Sequence, residues 1–266
     1  MATWVIVGCG YTGGELARWL LAEGGHSITV TRRDATAAGA TAAELGPDVR
    51  GMALDLASDP LPALPAGAIA ACLAPPGADP AGEIARLARA CERLIYVSST
   101  GVYGAGHGAW VDESWPLAPL TREGAARVAA EAALPASAIA LRAAGIHGPG
   151  RGLVDRLRAG TYRIVGDGSA HVSRIHVADL AQAIARAGAC PEVTGAVNIA
   201  DDAPDPIGVV ADTLAAALGV AAAPRVEAAT AAIAGMLLAD RRIANARMKR
   251  ELGVTLRYPS WRDAVR

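Results

Sequence analysis

The chain of 266 residues has no phenylalanine and only one lysine, Lys249. Any mechanism that needs a lysine in the first half of the chain is therefore excluded. Apolar runs stay shorter than the ~18 residues that indicate a membrane-spanning helix, and the N-terminus lacks the basic start and cleavage pattern of a signal peptide. We therefore expect a cytoplasmic protein with no membrane partner.

Charge and cysteine give few functional signals. The net charge of −1 provides no basic footprint for a nucleic acid. The four cysteines are scattered without the C-x-x-C spacing of zinc or redox sites, so we interpret them as reduced core thiols. No two histidines share a helical spacing with a carboxylate, and no G-x-S-x-G motif occurs. Both absences argue against a metal site and against a hydrolase.

The N-terminal stretch combines a short apolar run, a glycine-rich turn and a helical pattern. Residues 4–7 are too few for a helix, and after the turn apolar residues recur at helical spacing over residues 16–21. The turn has the G-x-G-x-x-G pattern that holds a dinucleotide pyrophosphate against a helix N-terminus. The alternative is an ordinary strand-to-helix turn without a ligand. We predict cofactor contacts from the turn residues Gly8, Gly10, Tyr11, Thr12 and Gly13.

The second predicted strand, residues 27–31, ends in Arg32 and Arg33. In the dinucleotide fold this position meets the adenine ribose, where a carboxylate accepts the 2′-OH of NAD and an arginine accommodates the 2′-phosphate of NADP. The arginines therefore favour NADP. NAD stays an alternative, because Asp34 follows at once and could serve the ribose while the arginines face solvent.

Strands and helices alternate through the next segment of the chain. A helix is predicted over residues 36–45, strands over 49–56 and 68–73, a helix over 81–91 and a strand over 93–97. This alternation is typical of an α/β fold with a doubly wound parallel sheet, whose ligands bind at the carboxyl ends of the strands. We therefore predict further cofactor contacts where the third and fourth strands end, from Asp55, Leu73, Ala74 and Pro75.

The segment after the fifth strand, residues 98–104, reads S-S-T-G-V-Y-G. It resembles the S-S-x-x-V-Y-G signature of the extended short-chain dehydrogenases, the epimerase/dehydratase family. Four later segments resemble motifs of that family in the same order, at residues 141–151, 174–181, 196–202 and 242–253. The resemblance implies a Rossmann-type NAD(P)-binding domain over residues 1–149. It also implies a smaller, mainly substrate-binding lobe over residues 150–266, with a strand near 196–199 that returns to the sheet.

The chain departs from this family at the catalytic Y-x-x-x-K pair. The family glutamate four residues beyond the lysine matches Glu131, which puts Arg127 at the lysine position and Glu123 at the tyrosine position. Arg127 can keep the positive charge and the ribose contact, whereas Glu123 either takes part in proton transfer or pairs with Arg127. Ser99 matches the family's catalytic hydroxyl. Tyr103 is the nearest phenol, although the family usually packs this tyrosine in the structure. The candidate catalytic residues are Ser99, Tyr103, Glu123 and Arg127.

Several charged side chains beyond the hydroxyl cluster have two interpretations. His107 lies on a predicted loop that either closes over a substrate or is solvated. His147 replaces a family tyrosine in a turn that could touch ligand, and His176 is expected to make a structural hydrogen bond. Four arginines either favour an acidic substrate or form a solvated helix face, namely Arg151, Arg156, Arg158 and Arg163.

Three functions fit these motifs. The first is an NADP-dependent oxidoreductase that acts on a small carbonyl or hydroxyl substrate with an altered proton relay. The second is a catalytically reduced dinucleotide-binding sensor or partner subunit, and the third is a non-redox isomerase or lyase on the same fold. A small molecule is the expected partner, an acidic one if the arginines face it. The chain itself is expected to be a monomer or a homodimer.

Overall fold

A computed structural model describes residues 2–58, 60–227 and 239–265 of the chain. Its strands are β1 (Thr3–Val7), β2 (Ser27–Arg32), β3 (Val49–Ala53), β4 (Ala68–Cys72), β5 (Arg93–Ser99), β6 (Trp110–Val111), β7 (Ile139–Ala143), β8 (Gly145–His147), β9 (Ile164–Val165), β10 (Arg174–His176), β11 (Gly195–Ile199), β12 (Arg225–Val226) and β13 (Arg242–Ile243). Its helices are α1 (Tyr11–Glu23), α2 (Ala35–Leu45), α3 (Pro80–Ala90), α4 (Arg122–Ala132), α5 (Leu153–Arg158), α6 (Val177–Ala189), α7 (Ile207–Leu218) and α8 (Ala246–Leu252). Residues 228–238 of the predicted substrate lobe lie outside the described residues.

Seven of the strands form one parallel sheet in the order β11-β7-β5-β4-β1-β2-β3. The strand order reverses between β1 and β4, and open sheets of this kind bind ligands in the crevice at that point. The α/β, doubly wound Rossmann-type sheet predicted from the sequence is therefore confirmed. Several predicted boundaries differ by one or two residues, and the third strand differs most, because β3 ends at Ala53 rather than at residue 56. The Asp55 carboxylate accepts the N–H of Ala57 at 3.1 Å, which favours a turn there.

Apolar layers cover both faces of the sheet. On one face α1 and α6 pack against each other over a layer that includes Ile6 and Ile139. Gly188 permits the close approach of α6 to β1, since a Cβ there would overlap the ring of Trp4. Two buried side chains of α8 complete the layer, Met248 and Leu252. Elements from beyond residue 150 therefore contribute to the core of the N-terminal half. The opposite face is covered by α3 and α4.

A smaller apolar cluster lies in the C-terminal part of the chain. Side chains of α5, α7 and β9 pack around the fully buried Trp261. The parallel pair of β8 and β10 packs against α6, whereas β9, which pairs with β12, belongs to this cluster. It falls within the range predicted for the substrate lobe, whereas α6, β11 and α8 pack with the main sheet. No helix in the described part of the chain is long and apolar enough to cross a lipid bilayer.

Two helical glycines provide a matched test of the packing of α4. A Cβ on Gly124 would overlap the carbonyl oxygen of Gly101 and lie 2.9 Å from Cβ of Pro119, whereas a Cβ on Gly39 of α2 would meet nothing within 4 Å. We expect Gly124→Ala to destabilise the protein by about 1–3 kcal/mol despite its helix propensity. Gly39→Ala should stabilise it by up to about 1 kcal/mol. Urea unfolding of both variants measures the difference, and equal effects would contradict the close packing of α4.

Candidate cofactor and substrate site

A cleft of about 850 Å³ runs along the carboxyl edge of the sheet at the β1/β4 reversal. It brings together side chains and backbone from the ends of β1, β2, β4 and β5 and from the loop beyond β3. Every residue for which the sequence predicts a cofactor contact lines this cleft, namely Gly8, Gly10, Tyr11, Thr12, Gly13, Arg32, Arg33, Asp55, Leu73, Ala74, Pro75 and Arg127. The fold therefore collects the predicted set in one place.

The turn between β1 and α1 has the geometry of a phosphate cradle. Gly8 has a φ of +77°, and a Cβ there would lie 2.8 Å from the backbone of Ala74, so only glycine fits. A Cβ on Gly13 would lie 3.1 Å from Cγ2 of Ile6, which shows how closely α1 approaches β1. Gly10 precedes α1 and offers no side chain to cap its first amides. These amides are therefore available to an anion in the cleft.

The side chains at the end of β2 bear on whether the arginines or Asp34 would meet the adenine ribose. The Asp34 carboxylate accepts the N–H of Ala37 at 2.7 Å and so caps the N-terminus of α2. Arg32 and Arg33 line the cleft. Arg32 Nε donates to Thr41 Oγ1 at 3.1 Å, which fixes the direction of the guanidinium. The guanidinium groups of Arg32 and Arg33 thus line this end of the cleft, whereas the Asp34 carboxylate caps α2.

The loop after β4 is held by a residue that the sequence analysis missed. Glu83 of α3 is buried, and its carboxylate accepts the N–H of Gly77 at 2.9 Å. This bond fixes the turn that follows Ala74 and Pro75 against the cleft, which Glu83 also lines. An acidic residue in the first turn of a helix normally indicates stabilisation of that helix, so the spacing alone gave no signal of this role.

Two of the four candidate catalytic residues line the cleft. Ser99 ends β5, and its Oγ accepts the N–H of Gly101 at 3.0 Å. Arg127 reaches the cleft from α4, where its Nη1 donates to the carbonyl oxygen of Val97 at 2.9 Å. This hydrogen bond joins the helix to the strand that carries Ser99. The two side chains therefore approach the same region of the cleft from different elements.

Tyr103 and Glu123 are not brought to this cleft. Tyr103 is fully buried, its hydroxyl donates to Asn198 Oδ1 at 2.7 Å and accepts from Arg142 Nη1 at 2.9 Å, and burial raises its pKa. Glu123 is exposed in the first turn of α4. Within the described residues it forms no ion pair with Arg127, which bonds to the backbone of β5 instead.

A buried ionic network lies behind the Ser99 strand. Arg142 Nη2 and Glu131 Oε2 are 2.7 Å apart, with side chains only 6% and 8% exposed. The other Glu131 oxygen accepts the hydroxyl of Ser98 at 2.5 Å. Because Arg142 also donates to Tyr103, the network joins β5, α4, β7 and the loop after β5. Glu131, which set the register of the sequence motif, thus has a structural role.

The three histidines of interest have different surroundings. His107 lies in the loop before β6 with a φ of +48°. His176 Nδ1 accepts the N–H of Ala178 at 3.2 Å, and its ring stacks on Tyr258 at 3.6 Å, as a structural histidine would. His147 is buried and lines a second cavity. Among the residues with described positions, no group of three potential ligands from His, Cys, Asp and Glu is placed to hold a metal ion.

The strand order and the glycine cradle define a Rossmann-type dinucleotide-binding fold. Comparisons with known proteins narrow this class. A family model described as the NAD dependent epimerase/dehydratase family matches residues 82–200. A solved structure of a functionally unknown conserved protein from Silicibacter pomeroyi is 31% identical, with a TM-score of 0.83, and the match covers 100% of this chain and 97% of that one. The chain belongs to the NAD-dependent epimerase/dehydratase family.

Two further solved structures show the same fold at lower identity. The human epimerase family protein SDR39U1, solved with NADPH, is 22% identical with a TM-score of 0.79, and the match covers 100% of this chain and 98% of that one. The UDP-glucuronic acid 4-epimerase from Bacillus cereus, solved with UDP-glucuronic acid and NAD, is 16% identical with a TM-score of 0.79 over 99% and 96% of the two chains. No curated protein sequence matches the chain.

Proposed function

We propose that this protein binds NADP(H) in the cleft and acts as an oxidoreductase on a small carbonyl or hydroxyl substrate. One observation carries the proposal. A single cleft extends from the glycine cradle and Arg32 to Ser99 and Arg127, so a dinucleotide that lies along it has its adenine end at the arginine and its nicotinamide end at the serine. The Asp34 cap at the adenine end favours the phosphorylated form of the cofactor.

The residues present fit such a cofactor. Gly10 adds no side chain beside the pyrophosphate cradle, and the first amides of α1 would supply N–H donors to the pyrophosphate oxygens. Arg32 and Arg33 would hold the 2′-phosphate, and Arg127 would hold the nicotinamide ribose. The bound nicotinamide supplies the hydride. A structural neighbour solved with NADPH and others solved with NAD support a nicotinamide dinucleotide.

The side chains at the nicotinamide end then position the substrate. Ser99 Oγ accepts the N–H of Gly101, and its own proton has no acceptor within the described residues. The hydroxyl is therefore available to donate to a carbonyl oxygen of the substrate. The Tyr103 hydroxyl already donates to Asn198, and Glu123 is exposed and does not line the cleft. Ser99 is therefore the residue that we assign to the substrate oxygen in the proposed proton relay.

A second function, a dinucleotide sensor with reduced catalytic power, is favoured by the burial of Tyr103. The nearest phenol of the Ser99 loop is held in a structural network and does not replace the missing tyrosine. Such a protein would bind NADPH and change partners or conformation without turnover.

A turnover experiment separates these two functions. The protein is mixed with NADPH and a panel of aldehydes, ketones and 2-oxo acids, and the absorbance of the reduced nicotinamide is followed. We expect turnover by the wild type and a loss of about tenfold or more in Ser99→Ala at unchanged NADPH affinity. Tight NADPH binding without turnover on any of these carbonyls would instead support the sensor.

Arg127 provides a test of the nicotinamide end that does not depend on the substrate. Arg127→Ala should weaken NADPH binding by about 1.5–3 kcal/mol, or roughly tenfold to a hundredfold, because a charged donor to the ribose is lost. Arg122→Ala, on the same helix but exposed and outside the cleft lining, is the control and should bind normally. Calorimetric titration measures both. Normal binding by Arg127→Ala would remove Arg127 from the proposed site.

A further inference from the structure

A second cavity of about 460 Å³ adjoins the cofactor cleft. Arg151 lines both spaces, and its guanidinium lies over the ring of Tyr11 at 5.3 Å from the ring centre. The remaining wall comes from β8, α5, β10, α7 and the chain near Trp261. The two spaces therefore meet at Arg151, beside the turn that carries Tyr11.

The charged groups around this second cavity are mainly cationic. Three guanidinium groups line it, from Arg151, Arg158 and Arg174, against the carboxylates of Asp155 and Asp263. The Asp263 carboxylate already accepts the N–H of Ser260 at 3.0 Å. Arg158 forms no ion pair within the described part of the chain, and it is exposed at the end of α5. The balance favours an anion.

Arg174 is a buried cation in the wall of this cavity. Its side chain donates one N–H to the carbonyl oxygen of Val172 at 3.0 Å, and the residue is only 7% exposed. The carboxylates of Asp201 and Asp205 attract it, but neither forms an ion pair with it within 4 Å. Burial raises the pKa of Asp201 to about 7. A buried guanidinium with so little direct compensation is costly unless a ligand supplies the opposite charge.

His147 adds an unsatisfied polar atom to the same cavity. The residue is 8% exposed, and its Nε2 is buried without a hydrogen-bond partner among the described residues. Burial lowers the pKa of His147 to about 4, so the ring is neutral near pH 7. A neutral imidazole can donate one hydrogen bond to an oxygen without adding charge. Buried polar atoms are normally paired, and a ligand oxygen would satisfy this one.

We propose that the second cavity binds an anionic oxygen group of the substrate, a carboxylate or a phosphate, through Arg158, Arg174 and His147. Guanidinium groups bind such oxygens by charge-assisted, often paired hydrogen bonds. The proposal names the substrate class of the oxidoreductase proposed above and rests on that function. The substrate is then a small oxo or hydroxy compound. Its reacting carbon lies in the cofactor cleft, and its acid group lies in the second cavity.

The test measures anion binding by calorimetry at constant low ionic strength, without turnover. The probes are malonate and inorganic phosphate, with neutral malonamide as the matched control ligand. Arg158→Gln is the test variant, and Arg156→Gln, which removes the same charge from the same helix outside the cavity, is the control variant. We expect malonate or phosphate to bind the wild type and Arg156→Gln equally. Arg158→Gln should bind about fivefold more weakly or worse.

Each outcome either identifies the type of anion that binds or overturns the proposal. Binding of malonate alone assigns a carboxylate site, and binding of phosphate alone assigns a phosphate site. No binding of either anion, equal binding of malonamide, or equal losses in the two glutamine variants would overturn the proposal. Arg174→Lys, which keeps the charge but not the paired donors, should also weaken the anion, provided that its circular dichroism is unchanged. NADPH affinity is measured alongside, so anion binding without NADPH binding would refute the oxidoreductase and leave this site standing.

Discussion

NADPH should bind at least tenfold more weakly to Arg32→Ala than to the wild type, while NADH affinity should change little. A charge-assisted pair with the 2′-phosphate contributes about 1.5–3 kcal/mol, and NADH has no phosphate to lose. Arg32 is well placed for this role because Thr41 Oγ1 accepts its Nε N–H and itself donates to the carbonyl oxygen of Ala37. Calorimetric titrations with both nucleotides give the ratio.

Two further variants sharpen this comparison. Thr41→Val keeps the guanidinium but removes its acceptor, so it should reduce the preference for NADPH by less than Arg32→Ala does. Arg50→Ala removes an exposed charge from β3 outside the cleft lining and should leave both affinities unchanged. Equal wild-type affinities, or an NADH preference that persists in Arg32→Ala, would show that the ribose is held by another group, such as Asp34.

Glu131→Ala should lower the free energy of unfolding by about 3–5 kcal/mol, the range for breaking one partner out of a buried ion pair. The variant leaves the Arg142 guanidinium buried without its carboxylate, and the hydroxyl of Ser98 without its acceptor. Urea or thermal unfolding monitored by circular dichroism measures the loss. The effect on NADPH binding should be small at temperatures where the variant is folded, because neither charged side chain lines the cofactor cleft.

The control is an ion pair of the same chemistry at the surface. Arg225 and Asp212 are also 2.7 Å apart, but their side chains are 45% and 43% exposed. Asp212→Ala should cost no more than about 1 kcal/mol, because water and salt screen this pair. The double variant Glu131→Leu, Arg142→Met should be more stable than Glu131→Ala, since no uncompensated charge is left. Similar losses in the buried and surface variants would contradict the burial that the structure shows.

The sheet and the cradle were predictable because their signals are local. The glycine spacing, the short apolar runs and the arginines at the end of the second strand each lie within a few residues of the feature they specify. The sequence did not decide whether Asp34 or Arg32 meets the adenine ribose. A carboxylate that directly precedes a helix serves as an N-cap as readily as a ligand, and only the hydrogen bond to Ala37 distinguishes the two roles.

The surroundings of Tyr103 could not be predicted, because they depend on distant residues. Its hydroxyl partners lie 95 and 39 positions away along the chain, at Asn198 and Arg142. The same holds for Arg151, which lines two cavities only because β8 and the start of α5 meet the glycine turn in space. A motif places a side chain on an element, but the packing of several elements decides whether that side chain reaches a cleft.

The apolar layer to which α1, α6 and α8 contribute has a consequence for synthesis on the ribosome. The strands that carry the cradle are synthesised before α6 and α8, yet the apolar cluster that contains Trp4 and Leu16 also includes Met248 and Leu252. This cluster is therefore complete only after the residues of α8 have been synthesised. Contacts of such long sequence separation slow folding and leave apolar surface exposed in the nascent chain. We therefore expect a stable cofactor cleft only after α6 and α8 have been synthesised.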